Sequence, residues 1–369
     1  MTKLSATDAR NDLFCDEPSL AQRFRWLGTR ALLRPLVRWR PIEAPLLGYT
    51  LVMGATRGLM PLIDLHLRLI ERQDRTGLEE ILVVVDGPLQ GVRDEVTGLR
   101  ERWSHLPVRF VGYGLFQSLV LDAIGWSKCY SWASWTIGLS KVRSRHVLLH
   151  DFDAFLLEPD FLRQRHQLIR GLDAVFLGVE RYRHPPVLAS DGLVGTWEMM
   201  LDAAWVRRRA RPIDVFNVRS EVGGRRVDLD TFHALQARAG AVFEPASVGA
   251  LVHATQMICQ AGQVERQGGC VAPRNMTTPL IPYLYEAAGQ SGAMKRAVIE
   301  DRSIYLLGQR VGLAQLTRDR VHGLRTMASA IDRVLVGKLR PEAEAYFDRL
   351  DAVAVANESN GGSDLKAAA

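Results

Sequence analysis

The chain has 369 residues, 47% of them hydrophobic and 24% charged, with a formal net charge of +6. These are the proportions of a soluble globular protein with core enough for one large domain or two ordinary ones. No apolar run approaches the roughly 20 residues of a membrane span, and the four cysteines (15, 129, 259 and 270) show neither zinc spacing nor a disulfide framework.

Residues 1–20 read as a polar lead, with Asp8, Asp12, Asp16 and Glu17 where a secretory signal would be apolar. Free thiols and the missing signal point to a reducing, cytoplasmic compartment. Between residues 23 and 40, six arginines interleave with Trp26, Leu27, Leu32, Leu33, Leu36, Val37 and Trp39, and Arg30, Arg34 and Arg38 share one helical face. Two readings fit: an amphipathic helix resting on the inner membrane face as a peripheral contact, or a helix packed on its own domain with its arginines in solvent. Pro35 shortens it in either case.

From residue 48 a strand–helix alternation begins. GYTLVMG (48–54) is a strand, and residues 59–72 place Leu62, Ile63, His66, Leu69 and Ile70 on one helical face. EEILVVVDG (79–87) is a buried strand tipped by Asp86, and PVRFVGY (107–113) is a third. A helix over 128–143 leads into the strand HVLLHDFD, followed by a helix after Pro159 and the strand DAVFLGV (173–179). This rhythm predicts an α/β fold, a mostly parallel sheet with helices on both faces. Beyond it, 195–209 reads as a helix with a basic end, and 227–240 as a helix with an acidic start and a Gly stop. AVFEP and GALVH are short strands, 256–275 is rich in Gly and Gln, and 280–310, 315–337 and 341–355 are helical in pattern. Four blocks follow: 1–45, a lead and basic segment; 46–255, a catalytic domain; 256–355, a helical extension; and 356–369, a disordered tail.

The densest chemistry lies in HVLLHDFDAFLLEPDFL (146–162), where a buried strand ends in Asp151 and Asp153. Carboxylates at the carboxyl end of such a strand sit where open α/β sheets bind ligands. Two hard oxygen donors one residue apart can share Mg²⁺ or Mn²⁺, and the ion can hold a diphosphate. The plain alternative is a turn, or a cap for the next segment.

Taken in order, TLVMGATRG, VVVDG, HDFD and VDLDTFHALQARAGAVFEPASVGALVH resemble the GT-A glycosyltransferases, particularly the inverting family-2-like nucleotide-sugar transferases. The resemblance runs from residue 48 to about 255. It implies a GT-A-like, Rossmann-like sheet and transfer of a sugar from a nucleotide-diphosphate donor to an acceptor hydroxyl, of a glycan, a lipid-linked molecule or a small molecule. It gives Asp86 a contact to the base or ribose. Asp151 and Asp153 take the metal site with His253, Asp151 also being placed for the nucleotide sugar. Asp228 becomes the general base, with Asp230 beside it. Arg57 and Lys128 are candidates for the donor phosphates, and Trp197 with Glu198 for an acceptor-side wall, though Trp197, Met200 and Leu201 also suit a core at helical spacing, as do Trp126, Trp132 and Trp135. The chain departs from the pattern at Val227, where a Glu commonly precedes the base, and at SKCYSWASWTIGLS, which replaces an Asn-rich stretch. The polysaccharide-synthase signature is missing, Gln263 to Arg266 being followed by Gln267. Two rival readings remain. One is a sugar-phosphate nucleotidyltransferase, suggested by GATRGLMPL (54–62) but lacking its lysine; the other is a degenerate domain acting as a scaffold. No nucleic-acid recognition motif accompanies the basic residues.

Overall fold

The computed structural model describes residues 20–183, 187–222, 225–267, 276–336 and 339–364. In chain order the strands are β1 (Leu46–Ala55), β2 (Leu78–Val85), β3 (Val108–Gly112), β4 (Ser144–His150), β5 (Ala154–Leu156), β6 (Phe176–Gly178) and β7 (Glu198–Asp202). They continue with β8 (Val218–Val222), β9 (Arg225–Leu229), β10 (Val242–Phe243), β11 (Leu251–His253), β12 (Ile299–Glu300), β13 (Ser303–Leu306) and β14 (Gln309–Gly312). The chain divides into two compact units, one of residues 1–55, 75–151 and 162–246, the other of 56–74, 152–161 and 247–369.

The first unit holds a seven-stranded sheet in the order β10-β6-β7-β4-β1-β2-β3. All its pairings are parallel except those of β7 with β4 and β6. This is the mostly parallel α/β sheet expected from the β-branched runs. Alternation along β4 divides its side chains between two helical layers. Val147 and Leu149 join Val52, Leu82 and Trp132 in one apolar core, whereas His146 meets the ring of His166, on the Phe161–Gly171 helix, at 5.5 Å. The Ser127–Lys141 helix lies close on β1 because two glycines permit it. A Cβ on Gly138 would stand 2.5 Å from Val52 Cγ1, and one on Gly54 2.9 Å from Ser134 Cβ. Trp132 and Trp135 are core residues, and the Trp132 indole N–H donates to the Pro212 carbonyl at 2.7 Å.

Several segments differ from the sequence expectation. The stretch 195–209 is not one helix. Its first half is β7, whose residues are all buried between β4 and β6, and the Ala203–Arg209 helix begins only after the N-cap Asp202. Likewise 227–240 opens as strand, with β8 and β9 antiparallel, and the helix runs only over His233–Ala239.

The second unit joins the Pro61–Glu71 helix to the antiparallel pair β5–β11, the Met257–Gln267 helix and the C-terminal elements. His66, on the apolar face read from sequence, is stacked on Phe152 and Phe155 at ring-centroid distances of 5.1 and 5.0 Å. The expected helix over 280–310 gives way to two short helices, Ile281–Ala287 and Ala293–Arg296, and the meander β12–β13–β14. Both of its turns have positive φ at two successive residues, Asp301 and Arg302, then Leu307 and Gly308, the backbone that tight antiparallel hairpins require. The Arg318–Val334 and Arg340–Asp364 helices close the unit, the latter extending over residues expected to be a disordered tail. The Tyr283 and Tyr346 hydroxyls donate to the carbonyls of Ala328 and Pro279, and burial raises both phenol pKa values. Residues 1–19, with Cys15 and the acidic lead, Cys270 and residues 365–369 lie outside the described residues.

Candidate active site

β4 carries Asp151 to the place where the sheet order reverses. β1 pairs with β2 on one side and β4 on the other, so Asp86 and Asp151 follow the carboxyl ends of strands flanking β1. In open α/β sheets this reversal leaves a crevice that receives ligands. Backbone hydrogen bonds fix both tips. The Asp86 N–H donates to the Ala55 carbonyl at 2.9 Å, and the Asp151 N–H to the Trp197 carbonyl at 2.8 Å. One residue earlier, His150 and Glu198 are cross-strand partners on β4 and β7.

Phe152 is buried and turns the chain into β5, leaving Asp153 only 4% exposed. The Asp153 carbonyl accepts from the Ala254 N–H at 2.8 Å, which ties the turn to the residue after β11. That register places His253 opposite Ala154, with its Nε2 3.3 Å from Asp153 Oδ1. One ligand atom from each of Asp151, Asp153 and His253 lies within 4.8 Å of the other two. Two carboxylates and an imidazole are oxygen and nitrogen donors of the kind that could hold a divalent ion. A nearly buried carboxylate also calls for a positive partner.

The other predicted residues are placed as follows. Lys128 is half-buried in the first turn of the Ser127–Lys141 helix; burial lowers the pKa of the His233 ring, opposed by Asp230 and the Val194 hydrogen bond, with Lys128 adding a smaller lowering effect. Arg57 is exposed in a short 3-10 turn of the second unit. Asp228 lies on β9, in register opposite Arg219. Asp230 follows β9, and its Oδ1 accepts from Asn217 Nδ2 at 3.0 Å and from the Thr231 N–H at 2.8 Å. The Asp230 N–H donates to His233 Nδ1 at 3.1 Å, so that ring is protonated at Nε2 and donates to the Val194 carbonyl at 3.0 Å. Buried Phe232 closes this turn at a φ of 69°, a conformation that costs energy for a non-glycine residue and recurs at functional loops.

Trp197 is half-buried and its indole N–H donates to Glu180 Oε2 at 2.9 Å. Glu198 does not form a wall. Its side chain is fully buried, and His150 Nδ1–H donates to its Oε2 at 2.6 Å. Sequence reading missed this pair because it took residues 195–209 for a helix, which hides the antiparallel match to β4. Arg165 accompanies them in the same unit. Burial lowers its guanidinium pKa to about 10, against the opposing charges of Glu198 and Glu244, so it remains cationic at neutral pH.

No protein-family model and no curated protein matches the chain. Among solved structures it is similar to the mannosyltransferase PcManGT from Pyrobaculum calidifontis in complex with GDP-Man and Mn²⁺. There the identity is 16%, over 91% of this chain and 94% of that one, with a TM-score of 0.38. It is similar to S. aureus TarS 1–349 in complex with UDP at 12% identity, over 85% and 92%, with a TM-score of 0.35. A third is the galactosyltransferase LgtC, with donor and acceptor sugar analogs, at 12% identity, over 62% and 77%, with a TM-score of 0.36. At such scores these likenesses supply no residue correspondence for this chain.

Proposed function

We propose that the protein is a metal-dependent glycosyltransferase that moves a sugar from a nucleotide-diphosphate donor to an acceptor hydroxyl with inversion. The observation that carries this reading is the convergence of Asp151, Asp153 and His253 after the carboxyl end of β4. Sugar transfer leaves negative charge on the departing diphosphate; Asp151, Asp153 and His253 would hold Mn²⁺ or Mg²⁺, which would supply the Lewis acid that neutralises it. Asp86, directly after β2, is the residue assigned to the base or ribose. Lys128 and Arg57 are the cations assigned to the phosphates, and the Trp197 ring is the remaining candidate for the acceptor side. Asp228 is the general base: it takes the acceptor hydroxyl proton as that oxygen attacks the anomeric carbon and the bond to the diphosphate breaks. Such a base contributes roughly 10²–10⁴-fold in rate. Asp230, held by Asn217 and Thr231, orders the turn that follows.

Thermal unfolding with nucleoside mono-, di- and triphosphates, each with and without Mn²⁺, tests this reading. A ligand at 100 times its Kd adds about 2.7 kcal/mol of apparent stability. The expected result is a Mn²⁺-dependent shift with one diphosphate that Asp153→Asn abolishes. A shift with triphosphates alone would favour nucleotidyl transfer, and none with any nucleotide would favour a scaffold.

A further inference from the structure

The first unit has a second cationic site that sugar transfer does not use. A pocket of about 700 Å³ is lined by Arg34, Arg38, Arg207, Arg208, Arg209 and Arg211 together with Trp39 and two prolines. Two of these arginines are structural. Arg207 donates to the carbonyls of Arg40, Leu139 and Val142, and Arg211 pairs with Asp214 at 2.9 Å. Arg34, Arg38, Arg208 and Arg209 are exposed, and among the described residues no carboxylate forms an ion pair with any of them. Four uncompensated guanidiniums around one hollow repel one another, and their planar donor forks suit phosphate oxygens.

The chain that enters the pocket wall also exposes apolar side chains. The Leu20–Leu33 helix, which contains no acidic residue, leads into the pocket wall and leaves Phe24, Leu27 and Leu32 exposed by 71%, 56% and 54%. The neighbouring Leu115–Ile124 helix exposes Leu115, Phe116 and Leu119 by 70%, 67% and 61%. Two contacts tie each helix to the residues just after the other. Gln117 Nε2 donates to the Leu36 carbonyl at 2.6 Å, and the Arg25 guanidinium lies 5.3 Å over the Trp126 ring. Their inner faces are already satisfied, with Leu33, Leu36, Val37 and Leu121 in the core. Six large apolar side chains left outside on these two helices, the first of which runs on into Arg34 and Arg38, are of the kind that marks an interaction surface.

We infer that this face binds an anionic lipid bilayer, the arginine pocket taking headgroup phosphates while Phe24, Leu27, Leu32, Leu115, Phe116 and Leu119 enter the acyl boundary. Charge complementarity selects the partner, since apolar insertion beside fixed cations is the arrangement of helices lying in a membrane interface. The inference stands independently of the donor-site reading.

Co-sedimentation of the full chain with phosphatidylglycerol-rich or pure phosphatidylcholine vesicles tests it. Binding to the anionic vesicles alone is expected, weakened by salt and reduced about tenfold or more in the combined variant Arg34→Gln, Arg38→Gln, Arg208→Gln, Arg209→Gln. Ser in place of Leu115, Phe116 and Leu119 should also release the protein. If the quadruple variant melts early, Arg208→Gln with Arg209→Gln serves instead, since both residues are exposed and unpaired. No binding to anionic vesicles, equal binding to both kinds, or full binding by a well-folded arginine variant would overturn the inference. Each variant should keep the Mn²⁺-dependent nucleotide shift, which separates this test from that of the donor site.

Discussion

His150 and Glu198, directly opposite each other on antiparallel strands, share a 2.6 Å hydrogen bond with neither side chain exposed to solvent. The pair stands immediately before Asp151, whose own N–H is fixed to the Trp197 carbonyl. The two strands are therefore locked together immediately before Asp151. Among the described residues, buried Glu198 Oε1 has no hydrogen-bond partner, and Arg165 is the cation whose pKa the Glu198 charge acts to raise.

Removing this carboxylate is expected to be costly. Glu198→Ala leaves the His150 N–H buried without an acceptor, a loss of about 1–3 kcal/mol before any cavity cost. Glu198→Gln retains an acceptor oxygen and should lose less. Melting temperatures of the two variants decide the matter: equal loss would show that the hydrogen bond contributes little. A fall in Mn²⁺ affinity in the Gln variant, at normal stability, would identify the pair as a positioning device.

Stability should also fall in mild acid through His146. Burial pushes its ring pKa down to about 4, with His166, Arg145 and Arg170 adding to the effect and Asp202 opposing it. The unfolded chain protonates near the ordinary value of about 6.5. Between these values the unfolded state binds a proton that the folded state does not, so stability declines as pH drops from about 6.5 to about 4, by up to roughly 3 kcal/mol. His166, shifted down by burial and Arg170, adds in the same direction. Melting curves across this window should show a shallower decline in His146→Gln; parallel curves would assign the acid sensitivity to other groups.

The fit of the Ser127–Lys141 helix on β1 can be probed at Gly138. A methyl there meets Val52 Cγ1 at 2.5 Å, inside a core that also holds Trp132. Although Ala favours helices by about 1 kcal/mol over Gly, overpacking costs about 1–3 kcal/mol, so Gly138→Ala should lower the melting temperature. A rise would mean that the helix can move away from the sheet.

Asp228 and Asp230 should separate by their kinetics. Asp228→Asn is expected to lower kcat by roughly 10²–10⁴-fold with donor binding intact. Asp230→Asn should act mainly on stability, because its oxygen holds Asn217 and the Thr231 N–H. If the kcat loss falls on Asp230 and spares Asp228, their roles are exchanged.

The sequence by itself determined the parallel core and the tips that follow it. β-branched runs such as ILVVV and HVLL have one stable use, a strand buried on both faces, and the acids directly behind them follow the carboxyl ends of β2 and β4. Local pattern also found the Pro61–Glu71 helix and the strand that ends in His253. Tertiary structure decided the rest. Met199, Met200 and Leu201 suit a helix or a strand equally, and only burial between β4 and β6 selects the strand. That pairing brings Glu198 to His150 across 48 residues of chain and removes it from the acceptor side. The approach of His253 to Asp153 likewise depends on the β5–β11 register. A metal site needs atoms within a few ångströms, and residues a hundred apart in sequence meet at that distance only through long-range strand pairing.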